Sequence, residues 1–533
     1  MAATRRAGDR STFVMQADEP VSQLNAEPAP AGHGPSGDPA SSPAMGGELG
    51  RLAGRGALWS AITQVTQQLL SVVATVVLAR LLTPGDFGVV AASLVIQEFV
   101  QLSLSRGWQT AIIRRDVVGD AYLSSVFWLL GGVGLAAVAF IGVAAPFLAR
   151  LVGLPGAGVY IAVLGLALIP TAATIVPTGL LQRRLELKAL SLASIVSFSI
   201  YVIVQLGLAA RGAGPWAVIT GLVIQPVVLL FGVCVGARWW PRLHFQPRLI
   251  AEDFRFANGL LLNNGLTYGV RNADYWVVGR TLGAAALGAY YVAYVLPQIL
   301  RLRVTWAVGQ VLLPVLAKSR SDRELTLQVY YHASLLIAWV GVPAMVGLAV
   351  IADPVVLVFF GPQWEAAVAP LRWLAFVALL EFVTFGPTVG AMTYGEVRRL
   401  MATNVVRLVV LALSVVVMGT LFRSVEAVAA GVLVATLLGA IHQQVTLARP
   451  LGLAFRPLLR GLSAIGFLSV VVGVVVAVLL TSIEMWHPIL QIAACTSVGA
   501  VSYFALGHLL FRELTVPLAR SVHMIVRSGG SPT

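Results

Sequence analysis

From residue 58 to residue 511 the chain alternates long apolar runs with short polar breaks. A helix needs roughly 20 predominantly apolar residues to cross the hydrocarbon core of a membrane. Fourteen runs reach that length: about 58–82, 86–106, 122–149, 157–181, 189–210, 214–236, 259–282, 284–312, 329–351, 366–391, 400–422, 425–447, 461–481 and 487–511. Pro170, Pro177, Pro226, Pro297, Pro343 and Pro387 lie within or near these runs. They predict kinks, which membrane helices tolerate when neighbours satisfy the freed backbone groups.

The polar breaks carry a second pattern. Basic residues crowd into every second gap, as in Arg114-Arg115, Arg183-Arg184 and Arg398-Arg399. With fourteen spans, one side collects 23 Lys and Arg and the other 6, the latter being Arg80, Arg150, Arg211, Arg280, Arg372 and Arg423. Lys and Arg favour the cytoplasmic side of short loops, so both termini are expected there. An error of one span would scramble the alternation.

The expected organisation follows. Residues 1–50, rich in Pro, Gly, Ala and Ser, read as a disordered cytoplasmic tail. No apolar signal-peptide core follows the early arginines, so the first span is expected to act as a retained insertion signal. Helices 1–6 form a first lobe over 51–236. Residues 237–258 form an interfacial amphipathic linker. Helices 7–12 form a second lobe over 259–448, helices 13 and 14 occupy 449–515, and 516–533 is a cytoplasmic tail. The lobes share a sequence echo. Val77-Leu78-Ala79-Arg80-Leu81-Leu82 returns as Val277-Val278-Gly279-Arg280-Thr281-Leu282, and Phe87-Gly88 returns as Leu287-Gly288, at a constant offset of 200. Pro177-Thr178 and Pro387-Thr388 close the fourth helix of each lobe. Both copies begin on one side, which makes the repeat parallel, with a site expected near the midplane between the halves. The fold class is therefore an all-α polytopic membrane protein.

Composition narrows the chemistry. Hydrophobic residues make up 58% of the chain and charged residues 11%, and the mean hydropathy is +0.86. A net charge of +13 would suggest nucleic acid in a soluble protein. Here the cations sit at span ends, which points to topology and anionic lipid headgroups instead. The two cysteines, Cys234 and Cys495, lie in separate apolar runs, and the histidines show no metal-ligand spacing. No metal or cofactor is expected. There is no GxxxxGK[ST] loop, and Gly131-Gly132-Val133-Gly134 reads as helix packing.

Ionisable groups deep in membrane spans are costly and are functional candidates by default. Here they are Glu98, Arg271, Asp274, Arg301, Arg303, Glu381, Arg407 and His442. Arg271 and Asp274 are three apart, share a helix face and can pair. Arg301 has no acid within a helical turn and calls for an anion, or for Glu98 or Glu381 from another helix. Arg303 can snorkel towards the interface. Glu381 can pair an arginine, and Arg407 and His442 read as packing residues. Spans 1 and 7 carry polar faces, including Gln64 and Asn272, that should line a hydrophilic cavity or pack between helices.

The run Asn272-Ala273-Asp274-Tyr275-Trp276-Val277-Val278-Gly279-Arg280-Thr281-Leu282-Gly283, continuing to Ala286-Leu287-Gly288-Ala289-Tyr290, resembles polysaccharide flippases of the Wzx-like type. These belong to the multidrug/oligosaccharidyl-lipid/polysaccharide (MOP) exporter superfamily. Leu312-Leu313-Pro314-Val315-Leu316 and Phe360-Gly361-Pro362-Gln363-Trp364 fit the same resemblance. It implies about fourteen helices, two six-helix lobes in a V-shaped arrangement plus two C-terminal helices, and a cavity lined by helices 1, 2, 7 and 8. It implies a non-enzymatic flippase for an undecaprenyl-diphosphate-linked glycan, with glycan polymerase or export machinery as further partners. By position, Arg271, Arg301 and Arg303 would meet the diphosphate, with Asn272 and Gln64 beside them. Asp274, Glu98 and Glu381 would serve coupling or ion pairing. A drug/cation antiporter, a peptidoglycan-precursor flippase and a membrane glycan ligase or polymerase are the alternatives.

Overall fold

The computed structural model describes residues 43–115, 118–250, 261–318, 323–393, 396–448 and 455–510. The expected tail at 516–533, residues 1–42 of the N-terminal tail and residues 251–258 of the linker lie outside the described residues. Helix α1 (Pro43–Leu81) begins inside the segment expected to be unstructured.

Among the described residues the chain is mainly helical and has no strand. After α1 come α2 (Pro84–Arg114), α3 (Asp120–Leu151), α4 (Gly158–Gly165), α5 (Leu168–Arg183), α6 (Leu187–Ala209) and α7 (Pro215–Ala237). The second set is α8 (Leu261–Lys318), α9 (Arg323–Val350), α10 (Ala352–Phe359), α11 (Val368–Thr393), α12 (Val397–Phe422) and α13 (Val425–Gln443). Helices α14 (Phe455–Ser482) and α15 (Pro488–Leu510) pack beside α9. Eleven helices among the described residues are long and apolar enough to cross a membrane. One of them, Tyr268–Thr305, contains two of the runs separated in the sequence. Helices α2 and α11 occupy two further runs. The chain is thus a multi-pass membrane protein.

Outward faces are apolar, with Phe140, Val143, Val474 and Phe504 all exposed. Such surface suits lipid rather than water. Small residues let the helices approach one another. A Cβ on Gly232 would lie 2.8 Å from the Ala193 side chain, which brings α7 close to α6.

The offset of 200 becomes geometry where the two helix sets meet. Helix α1 ends before Thr83-Pro84, where Thr83 and Asp86 cap α2 reciprocally. Two hundred residues later the chain leaves helical geometry at Gly283 (φ 85°, ψ −175°) inside α8. Helix α2 then crosses α8 at almost no separation. A Cβ on Gly88 would lie 1.9 Å from the Ala284 carbonyl oxygen, and one on Gly288 would lie 1.9 Å from that of Pro84. Only glycine fits at either position.

Next to this crossing the two sets exchange arginines. Arg80 at the end of α1 donates to the Val358 carbonyl at 2.6 Å. Arg280, its counterpart in α8, donates to the Arg150 carbonyl at 2.8 Å. Each acceptor precedes a positive-φ glycine, Gly361 or Gly153. Trp364 adds an indole N–H bond of 2.8 Å to the Ala79 carbonyl and meets the Phe87 ring edge-on at 5.0 Å. This end of the interface is closed.

The expected amphipathic linker, where described, is an extended strap with one short 3-10 turn at Pro247–Leu249. Ser124 and Ser125 of α3 accept from the backbone N–H groups of Arg242 and Gln246 at 3.2 and 2.8 Å. Asp120 pairs with Arg242 at 3.2 Å. Trp240, Leu243 and Phe245 stay exposed beside Arg238 and Arg248.

Candidate functional site

Four mid-helix stretches place ionisable side chains at one level. Arg271 and Asp274 lie midway along the part of α8 before Gly283, and Arg301 midway along the part after it. Glu381 is near the centre of α11, and Arg407 near the centre of α12. All five line a cavity of about 280 Å³ among α8, α11, α12 and α13. Arg271 and Leu302 are exposed at its mouth, while Asp274, Val377, Leu411 and Thr436 are buried. Sequence reasoning puts such residues between the halves. The structure instead gathers them inside the second helix set, where groups on adjoining helices can satisfy one another.

The partners also differ from those expected. Asp274 does not pair with Arg271 among the contacts of the described residues. Its carboxylate accepts from the Tyr290 hydroxyl at 2.7 Å and from the Tyr275 backbone N–H at 3.1 Å. The Tyr294 ring packs beside it. The rings of Tyr275, Tyr290 and Tyr294 pack on each other at centroid distances of 5.4 to 5.7 Å and shut out water. Asp274 is 1% exposed. Three or four residues bring Arg271 onto the same helix face, but Tyr290 of the following helix reaches the carboxylate instead.

Arg301 takes the second of its expected options. Its Nε lies 2.8 Å from the Glu381 carboxylate. Arg303 is held by side chains of another helix. It reaches across to α1, donating to Gln64 at 3.5 Å and to Gln68. Gln67, one step round α1, donates to the Ser194 carbonyl of α6 at 3.1 Å. Glu98 of α2 lies within electrostatic reach of Arg271. Asn272 turns back on its own helix and donates to the Tyr268 carbonyl at 3.2 Å.

The predicted residues therefore fall into two places. Arg271, Asp274, Arg301 and Glu381 share the cavity, while Gln64 and Arg303 form a bridge between α1 and α8. Sequence reasoning missed Tyr294, Gln298, Asn404 and Thr436 as cavity residues, and it assigned Arg407 to packing. The spacing of Asn404 and Arg407, three apart on α12, is a signal that could have found them. Chemically, the cavity offers cationic donors at its mouth and wall, neutral hydrogen-bonding groups between them, and a buried acid behind.

Comparison with known proteins adds to this geometry. The profile of a family described as polysaccharide biosynthesis protein matches residues 77–369. The succinoglycan biosynthesis transport protein ExoT of Rhizobium meliloti (strain 1021) is 28% identical over 317 residues, covering 60% of this chain and 64% of that protein. The lipopolysaccharide biosynthesis protein WzxC of Escherichia coli (strain K12) is 27% identical over 335 residues, covering 60% and 66%. The chain thus spans just under two thirds of the length of these relatives. Among solved structures, the lipid II flippase MurJ in an inward closed conformation superposes with a TM-score of 0.69 at 15% identity. That match covers 86% of this chain and all of MurJ, and it shows a shared fold.

Proposed function

We propose a cargo and a cycle for a chain that belongs to the polysaccharide biosynthesis protein family: it moves an undecaprenyl-diphosphate-linked glycan across the bacterial cytoplasmic membrane by alternating access. The observation that carries this reading is the gathering of Arg271, Arg301 and Arg407 on one cavity at mid-helix depth. A diphosphate leaving water needs cationic partners, because desolvating its charge is otherwise prohibitive. Guanidinium groups supply them in a planar, bidentate form. The similarity to ExoT, a succinoglycan biosynthesis transport protein, and to WzxC, a lipopolysaccharide biosynthesis protein, supports the same cargo class.

In this reading the headgroup enters between the lobes while the prenyl chain stays in lipid. Arg271 at the mouth meets the diphosphate first, with Arg301 and Arg303 close by and Asn272 and Gln64 flanking. Asp274, Glu98 and Glu381 couple the cycle to an ion gradient or hold the arginines. Fourteen crossings, with both termini cytoplasmic, follow from the distribution of basic residues. Anionic lipids of the cytoplasmic leaflet meet the strap at 238–250, where Trp240, Leu243 and Phe245 are exposed among arginines. The translocated glycan then passes to polymerase or export machinery. No covalent bond is made or broken.

The test is the fate of lipid-linked glycan in a strain lacking this gene. The complete lipid-linked oligosaccharide should accumulate on the cytoplasmic face. The wild-type gene should clear it and Arg271→Ala should not, at equal protein level. A deletion strain without accumulation, or full clearance by Arg271→Ala, removes the reading.

A further inference from the structure

Not every guanidinium at the cavity is available to a ligand. A charge held at the middle of a membrane helix needs a counter-charge or a bound anion. Arg301 already has its carboxylate, Glu381, at 2.8 Å. Arg303 is engaged by the glutamines of α1. Asp274 is engaged by the Tyr290 hydroxyl and the Tyr275 N–H and cannot serve a further arginine without releasing them. Arg271 has no ion pair among the described residues, with Glu98 of α2 and Tyr268 of its own helix within electrostatic reach. Arg407 has no polar partner among the described residues, although it is half-buried and lines the cavity wall.

The surroundings of Arg407 fit a ligand contact. Its stem lies on bare backbone of α13, where a Cβ added at Gly439 would come 3.1 Å from Cγ and 3.4 Å from Nε. Asn404, three residues earlier, lines the same wall, and Gln298 and Thr436 add neutral hydrogen-bonding groups. The volume, about 280 Å³, lies at the low end for small-ligand sites. An oligosaccharide does not fit. A diphosphate does, and two guanidiniums on one cavity match its two phosphoryl groups.

We propose that Arg407 and Arg271 are the pair that seats the cargo's diphosphate, inside the second lobe, and that Arg301 acts through Glu381 as a positioning residue. This rests on the flippase reading and refines its site. The glycan then remains outside the cavity, so the seat reads the part common to all lipid-diphosphate cargoes and leaves the sugar unread.

The full-length protein, purified in detergent, is titrated with inorganic diphosphate, with glucuronate as a carboxylate control. Wild type should bind diphosphate in preference to glucuronate. Arg407→Gln should weaken diphosphate binding at least tenfold, Arg407→Lys should fall between, and Arg211→Gln, an exposed arginine outside the cavity, should change it less than threefold. Gly439→Ala, which crowds the stem of Arg407, should weaken binding without removing any charge, and it carries the test if Arg407→Gln does not fold. Absence of diphosphate binding by wild type, preference for glucuronate, or unchanged binding in the folded Arg407 or Gly439 variants overturns the proposal. Glycan export by the wild-type gene in the deletion strain reports separately on the function. Export with unchanged Arg407→Gln binding sinks only the seat, whereas no export sinks the flippase.

Discussion

At the scale of single residues, charge in this protein is placed by its partners. The Asp274 carboxylate is held by hydroxyl and amide donors, and removing one donor leaves a buried group short of a bond. Tyr290→Phe should cost about 1–3 kcal/mol, measured as a loss of thermal or denaturant stability in detergent. The Arg301–Glu381 pair is half-exposed, with side chains 22% and 33% accessible. Glu381→Gln should therefore cost about 1–3 kcal/mol, between the values of exposed and buried pairs. Adding Arg301→Gln should recover part of that loss, and a double-mutant cycle reads the coupling. The sequence made these residues visible as ionisable positions within apolar runs. It did not reveal who pairs with whom, because pairing across helices depends on rotation about each axis. The glycine run at 131–134 illustrates the same limit. Gly134 packs on Ala172 and the α5 backbone, whereas Gly131 and Gly132 have nothing within 4 Å.

At the scale of elements, the paired motifs at an offset of 200 were legible and their use was not. The offset of 200 stands in the sequence as paired motifs, and the break at Gly283 falls between the runs 259–282 and 284–312. What sequence could not give is that Gly88 and Gly288 face each other's helices, since a glycine inside an apolar run carries no label for its neighbour. Gly88→Ala and Gly288→Ala should each force α2 and α8 apart, costing about 1–3 kcal/mol or more as overpacking. Gly347→Ala is the control. Nothing lies within 4 Å of that position, and loss of glycine from a helix interior should stabilise by about 0.5–1 kcal/mol. Equal effects at all three positions would show that the crossing is not held as tightly as described.

At the scale of the whole molecule, the fold class followed from hydropathy and charge alternation because a membrane leaves the backbone few choices. The location of the cavity did not, since an inward turn into one helix set and a turn into the gap between sets have the same sequence. The closed end gives a direct handle on motion. With Cys234→Ser and Cys495→Ser as background, a thiol at Leu82→Cys, 2% exposed in this arrangement, should react slowly with a membrane-impermeant maleimide. Combining Arg80→Ala with Arg280→Ala should raise that rate several-fold. An unchanged rate would mean that the arginines do not hold this end shut.

The exchanged arginines have one more implication. Both are received by main-chain oxygens, those of Val358 and Arg150. A main-chain oxygen is present whatever side chain stands there, so no replacement at 358 or 150 deletes the receiving group. Genetic control over these two bonds is thus lopsided: codons 80 and 280 can remove them, while the receiving oxygens stay whatever side chain stands there. A library built to bias the molecule towards one open face should be concentrated at those two codons.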